Sequence, residues 1–191
     1  MRKPLVISAH LVALWLHTTA YASEPLSILS LPLGGKLAKT PRECSFHEIG
    51  GDPKELCWVA PPYIHKDGSR SGSVEVPNRQ GRPAWAENVI FKIDISKDRT
   101  VNKIAVRTVD SLRKVEIEKS ISLRFGYPTE PRYTGPNSYS ANWNLPDIHI
   151  RMLCSDPAFC NIEFSSPAQN EALQRELAAR AKAAASRPIT P

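Results

Sequence analysis

No apolar run in this chain reaches membrane-spanning length, and no G-x-S-x-G step, second C-x2-C pair, H-x3-H pair or basic-aromatic motif is present. Each absence removes a class. A membrane-spanning helix needs roughly 20 apolar residues, so none is expected. Without the G-x-S-x-G elbow the common hydrolase arrangement of strand, nucleophile and helix has no anchor. The missing second pair of metal-ligand spacings argues against a structural zinc site. With no basic-aromatic motif, nucleic acid is not an expected partner. No internal repeat is visible, and no catalytic motif stands out.

What is present begins with an export signal. Met1, Arg2 and Lys3 give a positive start, Leu5 to Leu16 is mostly apolar, and Ala20-Tyr21-Ala22 is a small-x-small cleavage pattern. These are the three parts of a secretory signal in order. The competing reading, a buried core helix at the N-terminus, does not account for the A-x-A step. Cleavage near Ala22 is expected to release a periplasmic or secreted chain from Ser23, and no Cys near that site invites a lipid. Removing 22 residues from 191 leaves 169, enough for one domain with a substantial core. Loss of Arg2 and Lys3 takes the net charge from +6 to +4. A mild positive balance suits phosphate-bearing headgroups or acidic polymers in an envelope; it is equally the signature of a plain solvated surface.

Four cysteines, Cys44, Cys57, Cys154 and Cys160, make an even set in an exported chain and read as disulfides. Of three possible pairings, Cys44–Cys57 and Cys154–Cys160 are expected, each pair being close in sequence. The second also has a geometric warrant. Ile148, Ile150, Met152 and Cys154 share one face of a strand, and Cys160, Ile162 and Phe164 share one face of the next. Folded antiparallel about residues 155–159, these strands set 154 opposite 160, 152 opposite 162 and 150 opposite 164.

Residues 23–86 read as an irregular region tied by Cys44–Cys57. Gly34-Gly35, Gly50-Gly51, Pro61-Pro62 and Asp67-Gly68 punctuate it with turns. Leu26 to Leu33 could form one short strand, Cys57 to Val59 another and Gly72 to Pro77 a third. Residues 87–166 read as an α+β core. Val89, Phe91, Ile93 and Ile95 alternate with Ile90, Lys92 and Asp94, a half-buried strand. Ser96 to Thr100 suits a hairpin loop, and Ile104 to Val109 resumes the strand pattern. Between Asp110 and Gly126 the apolar positions fit either period; length, a possible Asp110 N-cap and a Gly126-x-Pro128 stop favour a helix with Ile117, Ile121 and Phe125 on one face. Tyr127 to Leu145 reads as a loop. Ser166, Pro167 and Gln169 open a C-terminal helix with a capping box, 167–185, whose large apolar residues are Leu173 and Leu177. Residues 186–191 are expected to be a disordered tail.

The stretch Ser120 to Thr129, with its Arg124-Phe125-Gly126-Tyr127-Pro128 step, then a Gly/Ser-rich loop, Trp143 and a strand hairpin, resembles small exported bacterial proteins of the β-lactamase-inhibitor-like α+β kind. The resemblance covers roughly residues 89–165. It implies a binding or assembly role in the envelope and carries over no functional residue.

Three constellations bear on chemistry. Cys44, His47, Cys57 and His65 could be a zinc set, against a Cys44–Cys57 disulfide in an oxidising compartment. Ser69, Ser71, Ser73 and His65 could supply a Ser–His pair, against the ordinary serine content of polar loops. Glu43, Glu48, Asp52 and Glu55 could supply paired carboxylates, which need no local motif, against charges that solvate turns. Better leads are Trp58, Tyr63, Trp85, Tyr139 and Trp143, since aromatics beside loops anchor partners with large rigid area; the alternative is that they cap the core.

The expected protein is therefore α+β, with a small antiparallel sheet, one packed helix, an irregular disulfide-tied N-terminal region and a C-terminal helix. Its expected function is that of an exported, non-catalytic binding or assembly module for a protein or envelope component, with no metal or cofactor. The alternatives are an envelope hydrolase acting on cell-wall polymer and a metal-binding exported protein.

Overall fold

The computed structural model describes residues 26–78, 82–87, 89–109, 111–129, 131–135, 138–155 and 158–185. The expected signal segment 1–22, Asp110 and the expected tail 186–191 lie outside the described residues, and so do the side chains of Leu173, of 132–135 and of 183–185.

The strands in chain order are β1 (Leu26–Ile28), β2 (Leu31–Leu33), β3 (Arg42–Glu43), β4 (Cys57–Trp58), β5 (Tyr63–Ile64), β6 (Arg70–Glu75), β7 (Ile90–Ile95), β8 (Val101–Arg107), β9 (Arg132–Gly135), β10 (Ser138–Asn144), β11 (His149–Ser155) and β12 (Phe159–Ser165). The helices are α1 (Lys114–Phe125) and α2 (Pro167–Ala185), with a 3-10 turn over Ala84–Ala86. One hydrogen-bonded path runs β3-β4-β6-β7-β8-β12-β11-β10-β9, and β1, β2 and β5 join at its side. The fold is α+β as expected, but the sheet is neither small nor wholly antiparallel. β2 pairs with β8, and β3 with β4, in parallel. The ladder between β6 and β7 carries the sheet across residue 86, so the N-terminal strands share one sheet with the rest.

Two meanders build the body. β6-β7-β8 runs in sequence, α1 then crosses over, and β9-β10-β11-β12 returns so that its last strand lies beside β8. Side-chain alternation gives this sheet one apolar and one polar face. Phe91, Ile93 and Ile95 of β7, Ile104 and Val106 of β8, Ile150 and Met152 of β11 and Ile162 and Phe164 of β12 are all buried on the first. Lys92, Asp94, Lys103, Arg107, Arg151, Asn161 and Glu163 alternate with them and stand on the other. The β11–β12 register sets Cys154 against Cys160, Met152 against Ile162 and Ile150 against Phe164, as the sequence pattern requires.

α1 covers the apolar face through Ile117 and Ile121, both buried, with Phe125 partly so. Val115 and Leu123 belong to the rival strand pattern and are 72% and 80% exposed, so the helical period governs this stretch. α1 begins at Lys114, and its N-cap Arg113 makes no side-chain cap bond. Its end is built by Gly126, whose φ of 82° and ψ of 179° fall where essentially only glycine sits. That turn lets the Gly126 carbonyl accept the indole N–H of buried Trp143 at 2.8 Å.

Two expectations fail locally. Leu26 to Leu33 is a hairpin, not one strand: Leu29 (φ 49°) and Ser30 (φ 72°) turn the chain so that Ile28 pairs with Leu31. Within Tyr127 to Leu145, read as a loop, β9 and β10 form; Tyr139, Ala141 and Trp143 point inward and alternate with Ser and Asn. At α2, Ser166 Oγ accepts the Gln169 N–H at 3.3 Å, but the Ser166 N–H donates to the Asn102 carbonyl of β8. The box is half replaced by a tie to the sheet. Beyond that tie the described side chains of α2 are largely exposed, Leu177 at 49%.

Both disulfides are present, Cys44–Cys57 and Cys154–Cys160. Within the first loop, Glu48 accepts both ends of the Arg42 guanidinium at 2.8 and 2.6 Å, together with the Ser45 N–H and hydroxyl.

Candidate functional site

A cavity of about 480 Å³ lies where three chain segments meet over the apolar face of the sheet. The β1–β2 hairpin supplies Ser27, Ile28, Leu29 and Ser30. The stretch leading to the 3-10 turn supplies Asn78, Arg82, Pro83 and Trp85. α1 supplies Ser120, Ile121, Arg124 and Phe125, and Phe164 of β12 forms the floor. Its size is that of a small-molecule site.

Each wall has a local cause. The hairpin tip is two residues long, so both take positive φ, a conformation that leucine adopts only under constraint. Asn78 (φ 59°) is a third such residue. Thus three of the four non-glycine residues with positive φ among the described residues line one cavity. Strained backbone gathers where surrounding structure over-determines a site.

Two guanidinium groups hold these walls. Arg124, in the last turn of α1, donates Nη2–H to the Ser27 carbonyl at 2.8 Å and so clamps helix to hairpin. It also lies over the Phe125 ring, 5.1 Å from its centroid. Arg82 donates to the carbonyls of Val76 and Pro77 and stacks on Phe91 at 4.8 Å. No carboxylate lines the cavity among the described residues. The lining therefore mixes apolar side chains with two cations, one from the α1 wall and one from the wall before the 3-10 turn.

A second concave region lies on the polar sheet face. One groove, of about 510 Å³, holds Ser71, Ser73, Lys92, Asp94, Arg107, Phe159 and Asn161; another, of about 470 Å³ under α2, holds His149, Arg151, Gln169 and Gln174; Lys103 and Glu163 belong to both. Here both signs of charge are present. Lys103 meets Asp94 at 3.1 Å, and Arg107 stacks on Phe159 at 4.0 Å. Partial burial, then the charge of Arg151, lowers the pKa of His149. This face has the mixed polar composition of the solvated side of an antiparallel sheet.

The aromatic candidates separate sharply. Trp58, Trp85, Tyr139 and Trp143 are buried, so four of the five pack against the core. Tyr63 alone is exposed, at 67%, with its ring edge-on to His65 at 4.7 Å. The cause is the alternation of β10 for Tyr139 and Trp143, and for Trp58 its place under β6. There Gly72 leaves room for the indole: a Cβ at residue 72 would meet the Trp58 ring at 3.2 Å. Trp85 does reach the cavity, as part of its wall.

The zinc set loses both sulfurs to the Cys44–Cys57 bond. The serine-rich loop does bring His65 Nε2 within 3.0 Å of Ser71 Oγ, across the β5–β6 hairpin. Asp67 is engaged elsewhere: its Oδ1 accepts the Ser69 hydroxyl and N–H, which lower its pKa. The pair is exposed, and among the described residues no carboxylate hydrogen-bonds the far ring nitrogen of His65. Of the four candidate carboxylates, Glu48 is held by Arg42 and Glu55 by Lys39.

Arg82 and Arg124 were not singled out in the sequence. The available signal was the Arg124-Phe125-Gly126 step, where a cation sits in the last turn of an amphipathic helix; nothing local marks Arg82. No family model, curated protein or solved structure matches the chain.

Proposed function

We propose that the protein is exported to the periplasm or beyond and acts there as a non-catalytic binding module for an envelope component. The cavity between the β1–β2 hairpin, residues 78–85 and α1 carries this reading. It is ligand-sized, built from segments distant in the chain, lined by strained backbone, and half apolar with a few polar groups. The two disulfides support an oxidising compartment. An assembly role of the β-lactamase-inhibitor-like kind belongs to the same proposal.

The test is native mass spectrometry of unreduced protein purified from the envelope fraction. The expected species begins at Ser23 and carries a small molecule that is lost in Ser120→Phe, which fills the cavity from α1. A protein retaining its first 22 residues, or one bare in both forms, overturns the reading.

A hydrolase is the second reading, favoured by the His65–Ser71 contact. It requires that cell-wall polymer be cleaved and that Ser71→Ala abolish cleavage. A polymer left intact by the wild-type chain removes it.

A further inference from the structure

We infer that the cavity beneath the β1–β2 hairpin takes an amphipathic organic anion, a carboxylate joined to an apolar body, with Arg124 as its charge partner. This rests on the reading of that cavity as the binding site.

The argument is one of two costs. Ile28, Ile121, Phe125 and Phe164 present an apolar wall. A small inorganic anion would leave that wall wet and gain nothing from it. A purely apolar ligand would strip water from the guanidinium of Arg124 without replacing its hydrogen bonds. A ligand with one charged end and one apolar end meets both demands. The charge is fixed as negative, because Arg82 and Arg124 line the cavity and no carboxylate does among the described residues.

Arg124 is the better partner of the two. Arg82 already spans two carbonyls and a ring. Arg124 is exposed, donates one hydrogen bond, to Ser27, and pairs with no carboxylate among the described residues. A guanidinium has five N–H donors in a planar fork that matches a carboxylate bidentately, so it can hold Ser27 and a ligand together. Its charge does not titrate in the range where proteins work, so occupancy should not depend on the protonation of the protein.

The experiment is calorimetric titration of the disulfide-bonded chain with decanoate, decanol and acetate. Decanoate should bind at least about tenfold more tightly than decanol, the effect of one charge-assisted hydrogen bond or more, and at least about tenfold more tightly than acetate, which lacks the apolar body. Arg124→Gln should remove that advantage, bringing decanoate down to the affinity that the same variant shows for decanol, and Arg124→Lys should restore part of it. Equal binding of decanoate and decanol to the wild-type chain overturns the inference even if Arg124→Gln fails to fold, and leaves the cavity as an apolar site. No heat with any probe, from protein that still carries a small molecule lost in Ser120→Phe, overturns the ligand class alone. No heat and no carried molecule overturn the site itself.

Discussion

Gly126 holds a conformation that costs a side-chain-bearing residue about 1–3 kcal/mol. Nothing lies within 4 Å of a Cβ placed there, so the penalty is of backbone origin alone. Gly126→Ala should lower the stability by that amount in urea unfolding and perturb the fluorescence of Trp143, whose indole bonds to the Gly126 carbonyl. Glu48 is the second residue whose surroundings set a measurable property. The Arg42 guanidinium, then the Ser45 N–H and hydroxyl, lower its pKa to about 2. A depressed carboxylate stabilises the fold above its unfolded pKa, near 4.5, and that contribution is lost as pH falls through about 2. Glu48→Gln should therefore lower the melting temperature at pH 7 and flatten its decline between roughly pH 4.5 and 2.

At the level of elements, the disulfides differ in what they hold. Cys44–Cys57 closes a loop of 13 residues between short strands, and Cys154–Cys160 closes six across a hairpin already registered by its ladder. Replacing Cys44 and Cys57 together by serine should cost roughly 3 kcal/mol by the chain-entropy relation, measured in denaturant. The Cys154 and Cys160 pair should cost somewhat less, about 2 kcal/mol. The strands that were legible in the sequence share one property: apolar residues at every second position, Phe91, Ile93 and Ile95 in Ile90–Ile95 and Ile150, Met152 and Cys154 in His149–Ser155. β10 escaped notice because its inward residues are Tyr139, Ala141 and Trp143, separated by Ser and Asn, a composition that reads as loop. The β1–β2 turn escaped because Leu29-Ser30 is not the Asn-Gly pair that such turns favour; tertiary packing imposes it.

For the molecule as a whole, α2 stands apart from the body. Its start is tied to β8 through Ser166 and Asn102, and its described side chains from Glu171 onward are mostly solvent-exposed. A chain ended after Asn170 should melt within a degree or two of the full one, because little buried surface is lost. The candidate site was illegible in the sequence for a reason that belongs to this scale. Its lining is drawn from residues 27–30, from 78 and 82–85, from 120–125 and from 164, and these groups lie far apart in the sequence. The burial of Tyr139 and Trp143 has the complementary reason: exposure is decided by which face of a strand a residue occupies, and the composition of β10 does not mark it as a strand.

Because its walls come from four separated stretches, the hollow exists only while the entire tertiary arrangement stands. Any molecule lodged there is linked to the global unfolding equilibrium and raises it by mass action, by about 2.7 kcal/mol at a hundred times its dissociation constant. Thermal denaturation thus becomes a direct assay of occupancy, and peptides cut from any single stretch should show no affinity at all.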